Sequence, residues 1–150
     1  MSEPMPRITA EAFRALLERM PQSYPSRMAI EPLEITDEYS LGRIVVDEQH
    51  LHPGGFVHGG AWTGLGDTVA AWQTFRHLPE GHNFTTIEMK LNAFAAAGLG
   101  DEITARAVTL HGGRSTHVIE TRMSRGERLL ANLIVTQFVI APAISETDRA

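Results

Sequence analysis

Phe13, Leu16, Leu17 and Met20 are the first apolar residues with a clear period, spaced three and four apart along one helix face. Thr9 stands where an N-cap belongs, Ile8 and Phe13 are spaced as a staple across it, and Pro21 stops the run. The pattern predicts a short helix over residues 10 to 20. Residues 22 to 27 read as loop, and strand-like stretches follow over 28–36 and 39–47, the second carrying Ile44, Val45 and Val46. His50 to Gly60 is rich in Gly and Pro and reads as loop, with a helix beginning near Gly59. Over 61–75, Trp62, Leu65, Val69, Ala70, Ala71, Trp72 and Phe75 spread around the helical wheel, so this helix is expected to be buried on most sides. After a loop over 76–83, strand character returns at 85–95, 102–110, 116–123 and 128–140, with Gly112-Gly113 and Ser124-Arg125-Gly126 as hairpin turns.

That order is an α+β layout: a short N-terminal helix, two strands, one long apolar helix and four more strands. A single antiparallel sheet wrapped around the long helix satisfies both its all-round apolarity and the one-sided alternation of the strands. The expectation is one domain over 1–150, with flexible tails at 1–7 and 143–150 and no internal repeat.

Composition narrows the function. At 150 residues, 43% hydrophobic and 21% charged, the chain suits one globular domain. A net charge of −5 without a Lys/Arg run argues against nucleic-acid and membrane-surface partners. The absence of cysteine removes disulfides, thiol nucleophiles and thiolate metal sites, and with no apolar run near ~18 residues the expectation is a soluble, cytoplasmic protein. Six of the thirteen glycines fall between Gly54 and Gly66, and His50, His52 and His58 border them.

The segment from His52 to Gly60 leads into Asp67, the only acid between Glu48 and Glu80. A helix starting at Gly59-Gly60 offers free backbone N–H groups and its positive dipole end, an oxyanion-type site. A carboxylate inside an apolar helix resists ionisation, so Asp67 is expected to have a perturbed pKa. Gly59 and Asp67 are ~12 Å apart along one helix, so a two-fold axis is needed to bring one copy's Asp67 to the other's Gly59.

Val57-His58-Gly59-Gly60 followed by Leu65-Gly66-Asp67 resembles the signature of hotdog-fold acyl-CoA thioesterases, in the phenylacetate-pathway and 4-hydroxybenzoyl-CoA thioesterase branch. Thr86–Asn92 and Gly98–Ile103 resemble that family's next strands, and the likeness spans about residues 40 to 140. The resemblance implies the hotdog fold and hydrolysis of an acyl-CoA thioester, with coenzyme A as part of the substrate and no separate cofactor or metal. It implies a homo-oligomer, at least a dimer and by family habit a tetramer. By position, the Gly59 N–H would meet the thioester carbonyl, Asp67 would act as nucleophile or general base, and His58 would shape the site. Thr86 would position water, with Thr85 its neighbour if the register slips, and Gly60 would line the substrate. Gly113-Arg114-Ser115-Thr116 resembles a coenzyme A-binding hairpin, giving Arg114, Ser115 and Thr116 as phosphate contacts. His52 occupies a place where the family usually has Asn or Gln, and its imidazole can orient a group by hydrogen bonding or add pH dependence.

Other residues read more plainly. Trp62 and Trp72 are expected in the core, with Trp62, Trp72 or Phe56 near the acyl group. His50 is expected on the surface, His77, His82, His111 and His117 solvated in loops or hairpins, and Lys90 on a solvated face. Two other functions remain open at this point: an acyl-CoA binding module without hydrolysis, and a hotdog hydratase or dehydratase acting on enoyl or hydroxyacyl thioesters.

Overall fold

A computed structural model describes residues 8–143; the expected tails at 1–7 and 143–150 lie outside these, apart from Ala143. Ten elements follow in order. They are α1 (Ala10–Arg19), α2 (Tyr24–Arg27), β1 (Glu31–Ile35), β2 (Ser40–Val45), a 3-10 turn (Glu48–His50), α3 (Gly59–His77), β3 (Asn83–Ala93), β4 (Glu102–Gly112), β5 (Thr116–Arg125) and β6 (Arg128–Ile140). The six strands form one antiparallel sheet in the order β1-β2-β4-β5-β6-β3, and α3 touches all six.

The first helix starts as expected, with the Thr9 hydroxyl accepting the Ala12 N–H at 3.2 Å. Phe13 carries α1 onto α3, its ring 5.8 Å from Trp72 and 6.0 Å from Phe75. Leu16 and Met20 stay largely exposed, so only part of the periodic face is buried. Residues 22 to 27 are not plain loop: Tyr24–Arg27 makes one helical turn. Pro25 sits in its first turn, where the missing N–H is harmless, and Ser23 Oγ joins Met20 O and Ser26 Oγ.

The long helix runs two residues further than the 61–75 pattern, to His77, and stops because Pro79 forces Leu78 into extended backbone at φ −71°, ψ 140°. Leu65, Val69 and Ala70 are fully buried, facing Ile103, Ala105, Ala107, Ile119, Met123, Leu133 and Val135 from the sheet. Close approach decides the residue at Gly66: a Cβ there would lie 2.7 Å from Leu133 Cδ2, and the Gly66 carbonyl accepts the buried Thr121 hydroxyl at 2.9 Å. Helix and sheet therefore meet at this point with no helix side chain between them.

The terminal hairpin turns around Gly126, whose φ of +57° suits the two-residue connection between Arg125 and Arg128. β3 pairs with β6 on one side only and ends the sheet. Its ladder shifts between Thr86 and Glu88, leaving Ile87 as the extra residue of a bulge. Before the bulge, even-numbered Phe84 and Thr86 face α3; beyond it, odd-numbered Leu91 packs on the core.

Candidate active site

His58 is the N-cap of α3, an unusual residue there, and its Nδ1 accepts the Gly60 N–H at 2.8 Å. That bond uses the Gly60 donor, so Gly60 does not offer its N–H to a ligand. The Ala61 and Trp62 N–H groups turn back to the His58 carbonyl. Gly59 is different: its N–H has no partner among the described residues, and a Cβ built on it would meet nothing within 4 Å. An open donor at the positive end of a 19-residue helix is what an oxyanion requires.

His52 lies beside it. Its Nδ1 accepts the Gly54 N–H at 2.9 Å, leaving Nε2 as the nitrogen available to another group. His52, Phe56, Gly59 and Trp62 line a cavity of about 360 Å³ with residues 93–96. Trp62 is thus both core, at 3% exposure, and cavity wall, whereas Trp72 is core alone.

Asp67 sits half-buried in the middle of α3, and its Oδ1 accepts the Thr86 hydroxyl at 2.9 Å. Burial pushes its carboxyl pKa up, while hydrogen bonding by Thr86 and Gln137 pulls the other way. The strand alternation brings Thr86 to the carboxylate and leaves Thr85 exposed and paired opposite Phe138 on the outer face. Behind Thr86 the hydroxyl also takes a hydrogen bond from Gln137 Nε2 at 3.4 Å, and the Thr74 hydroxyl donates to Gln137 Oε1. Gln137 is fully buried. It follows Leu133 and Val135 on the inward face of β6 and precedes Val139, so a lone polar residue in an apolar phase was a signal available in the sequence.

Arg114 lies elsewhere. With Asp37, Glu38, His77, His82 and His117 it lines a cavity of about 820 Å³ at the C-terminal end of α3, ~27 Å along the helix from Gly59. Ser115 and Thr116 sit on the same hairpin, where the Ser115 carbonyl accepts the Val139 N–H at 2.8 Å. One copy of the chain therefore holds three separate groups: Gly59 with His52, Asp67 with Thr86, and the Arg114 hairpin.

Two histidine expectations fail. His50 is 1% exposed, its Nδ1 accepting the Asp47 N–H at 2.9 Å and its Nε2 donating to the Met28 carbonyl at 2.7 Å. It ties the 3-10 turn to the end of α2, a structural task that contacts 22 residues apart impose. His117 is 6% exposed because β5 alternation turns it inward, and its Nδ1 has no partner among the described residues. Burial, then the nearby His77 and His111, hold its pKa below the usual imidazole range. Lys90 is on the surface as expected, donating to Asn92.

A thioesterase superfamily model matches residues 54–132, more than half of the chain. The chain belongs to the thioesterase superfamily. It is a thioester hydrolase, and Gly59, Asp67, Thr86 and the 113–116 hairpin all fall within the matched span, with His52 just outside it. Among solved structures, a thioesterase from Haemophilus influenzae is 23% identical, with a TM-score of 0.83 over 93% of this chain and 95% of that one. A hypothetical thioesterase protein from Streptococcus pneumoniae, solved with coenzyme A, is 22% identical, with a TM-score of 0.69 over 77% and 88%. A mutant of the phenylacetic acid degradation protein from Thermus thermophilus is 22% identical, with a TM-score of 0.71 over 77% and 96%. These likenesses give the hotdog fold. No curated protein matches the chain. Among the described residues, no helix is long and apolar enough to cross a membrane.

Proposed function

We propose that this thioesterase superfamily member hydrolyses acyl-CoA thioesters as an oligomer, with Gly59 of one copy and Asp67 of its neighbour meeting at one thioester. The observation that carries the reading is the pairing of a Gly59 N–H without a partner among the described residues with a half-buried, Thr86-bonded Asp67 on the same helix, ~12 Å apart. That distance is too long for one copy to serve one carbonyl. The β3 edge supports a second copy, since its outer ladder is unpaired among the described residues and Ile87 and Met89 stand exposed beside it. The assembly is at least a dimer, and a tetramer is part of the same proposal.

The Gly59 N–H donates to the thioester oxygen as negative charge develops there. Asp67 then takes the proton of a water that adds to the carbonyl carbon, or adds itself as nucleophile. On the water route the carbon–sulfur bond breaks and coenzyme A leaves as its thiol with the proton Asp67 accepted; on the nucleophilic route it leaves as the thiolate, protonated by solvent, and water then opens the acyl–Asp67 anhydride to give the free acid. Burial that raises the Asp67 pKa makes the carboxylate a stronger base, which supports the water-activating role. Thr86 holds the carboxylate and orients the water, His58 fixes the helix start, and His52 orients the substrate through Nε2. Arg114, Ser115 and Thr116 take the phosphates of coenzyme A, a substrate supported by the coenzyme A in the S. pneumoniae structure. Gly60 contributes space rather than a donor, and Thr85 stays outside the reacting centre.

The test is release of free thiol from a panel of short, long and aryl acyl-CoA esters, followed by a colour reagent. Turnover of at least one class supports the proposal, and tight binding without turnover would replace it with an acyl-CoA binding module. Loss of enoyl absorbance on enoyl-CoA, with no thiol released, would replace it with a hydratase.

A further inference from the structure

The one-turn helix α2 places Tyr24 over the middle of α3. A Cβ added at Gly64 would overlap the Tyr24 hydroxyl and lie 2.6 Å from Cζ and 2.8 Å from Cε1, so the phenol occupies a notch that only glycine leaves. A glycine inside a helix is less favourable than alanine, and the space it opens here is filled by this ring. Gly64 precedes Asp67 by one helical turn, which puts the two positions on the same face ~5–6 Å apart. The phenol senses that carboxylate: burial first, then the Asp67 charge, push its pKa up. Tyr24 nonetheless remains 49% exposed, and its hydroxyl has no hydrogen-bond partner among the described residues. The ring is therefore positioned by shape, with one edge on the helix and about half of the residue exposed.

We propose that Tyr24 is a specificity-determining residue that walls the acyl pocket next to Asp67, favouring compact acyl groups over long straight ones. This rests on Asp67 being the reacting carboxylate. The face of α3 through Gly60, Thr63 and Gly64 carries only small side chains, with Trp62 turned into the core, and forms a track along which an extended acyl chain can lie. Tyr24 closes that track at Gly64. With Gly64 only ~5–6 Å from Asp67, the ring meets an acyl chain soon after the carbonyl. A short or aryl group fits against it, while a longer chain is turned away.

The experiment compares kcat and KM for butanoyl-, benzoyl- and dodecanoyl-CoA in the full-length protein and three variants. Tyr24→Ala removes the wall, and the dodecanoyl to butanoyl ratio of kcat/KM is expected to rise about tenfold or more. Gly64→Ala keeps the tyrosine but expels its ring from the notch, and should move the ratio the same way. Tyr24→Phe keeps the ring and should keep the wild-type preference. A ratio within about twofold of wild type in both Tyr24→Ala and Gly64→Ala, with circular dichroism unchanged, would overturn the proposal. A Tyr24→Phe shift as large as that of Tyr24→Ala would overturn it too, by assigning selection to the hydroxyl. An Asp67→Asn control separates the two readings: if it keeps full turnover, the reacting carboxylate is elsewhere, whatever the Tyr24 ratios show.

Discussion

Replacing Asp67 with asparagine separates what this side chain does for chemistry from what it does to stability. The amide keeps the shape of the carboxylate and an Oδ1 that can accept the Thr86 hydroxyl, so the 2.9 Å contact survives. A hydrogen bond to a charged acceptor is worth about 1.5–3 kcal/mol and a neutral one about 0.5–1.5 kcal/mol, so roughly 1 kcal/mol of bonding is lost. Against this stands desolvation, the largest influence on Asp67, which a neutral amide suffers far less. The raised pKa shows that the second effect wins. Because folding raises this pKa, the unfolded chain ionises first as pH climbs, and wild-type stability falls through the window between the unfolded and folded values. Above that window the Asp67→Asn protein is expected to be the more stable of the two, and at acid pH, where both side chains are neutral, the advantage disappears. Activity should move the other way: a positioned general base contributes about 10²–10⁴-fold, or about 3–5 kcal/mol of barrier. The assays are thiol release at saturating acyl-CoA and urea unfolding at several pH values. Full turnover in the variant, or a variant less stable than wild type near neutral pH, would refute the reasoning.

Three further changes test the frame around the site. Gln137→Leu strips the partner from the buried Thr74 hydroxyl and from Thr86, and should destabilise the fold by about 1–3 kcal/mol in urea titration while lowering turnover. His50→Ala leaves the Asp47 N–H and the Met28 carbonyl without their shared partner, and should lower stability by about 2–4 kcal/mol with little change in KM. Gly66→Ala drives a methyl group to 2.7 Å from Leu133 Cδ2 and 3.0 Å from its Cβ, and overpacking there should outweigh the gain in helix propensity, giving a loss of about 1–2 kcal/mol by thermal melting.

Residues whose meaning is local were readable without the fold. Thr9 caps α1 and Pro21 follows its end, Gly126 turns the last hairpin, and Asp67 stands out as a lone acid in an apolar run. The placement of Asp67 beside Thr86 followed from family likeness, because the pairing of α3 with β3 cannot be read from periodicity. His50, His117, Gln137 and Tyr24 were missed or read as surface for the same reason. Each takes its surroundings from a segment far along the chain, as when Met28 meets His50 and Thr74 meets Gln137.

Helical and strand periods are set by neighbours a few residues apart, so the order of elements was already written in the chain. The candidate chemistry was written there too, since a free N–H at a glycine helix start and a buried carboxylate follow from residue type and position. Which face each strand turns inward came instead from the assembled sheet. The bulge at Ile87 changes the inward parity of β3, and the register before it aims Thr86, not Thr85, at Asp67. The Gly60 N–H goes to His58 through a cap contact only two residues long, whereas packing alone seated Tyr24 on Gly64, because contacts between segments depend on how the whole sheet wraps the helix.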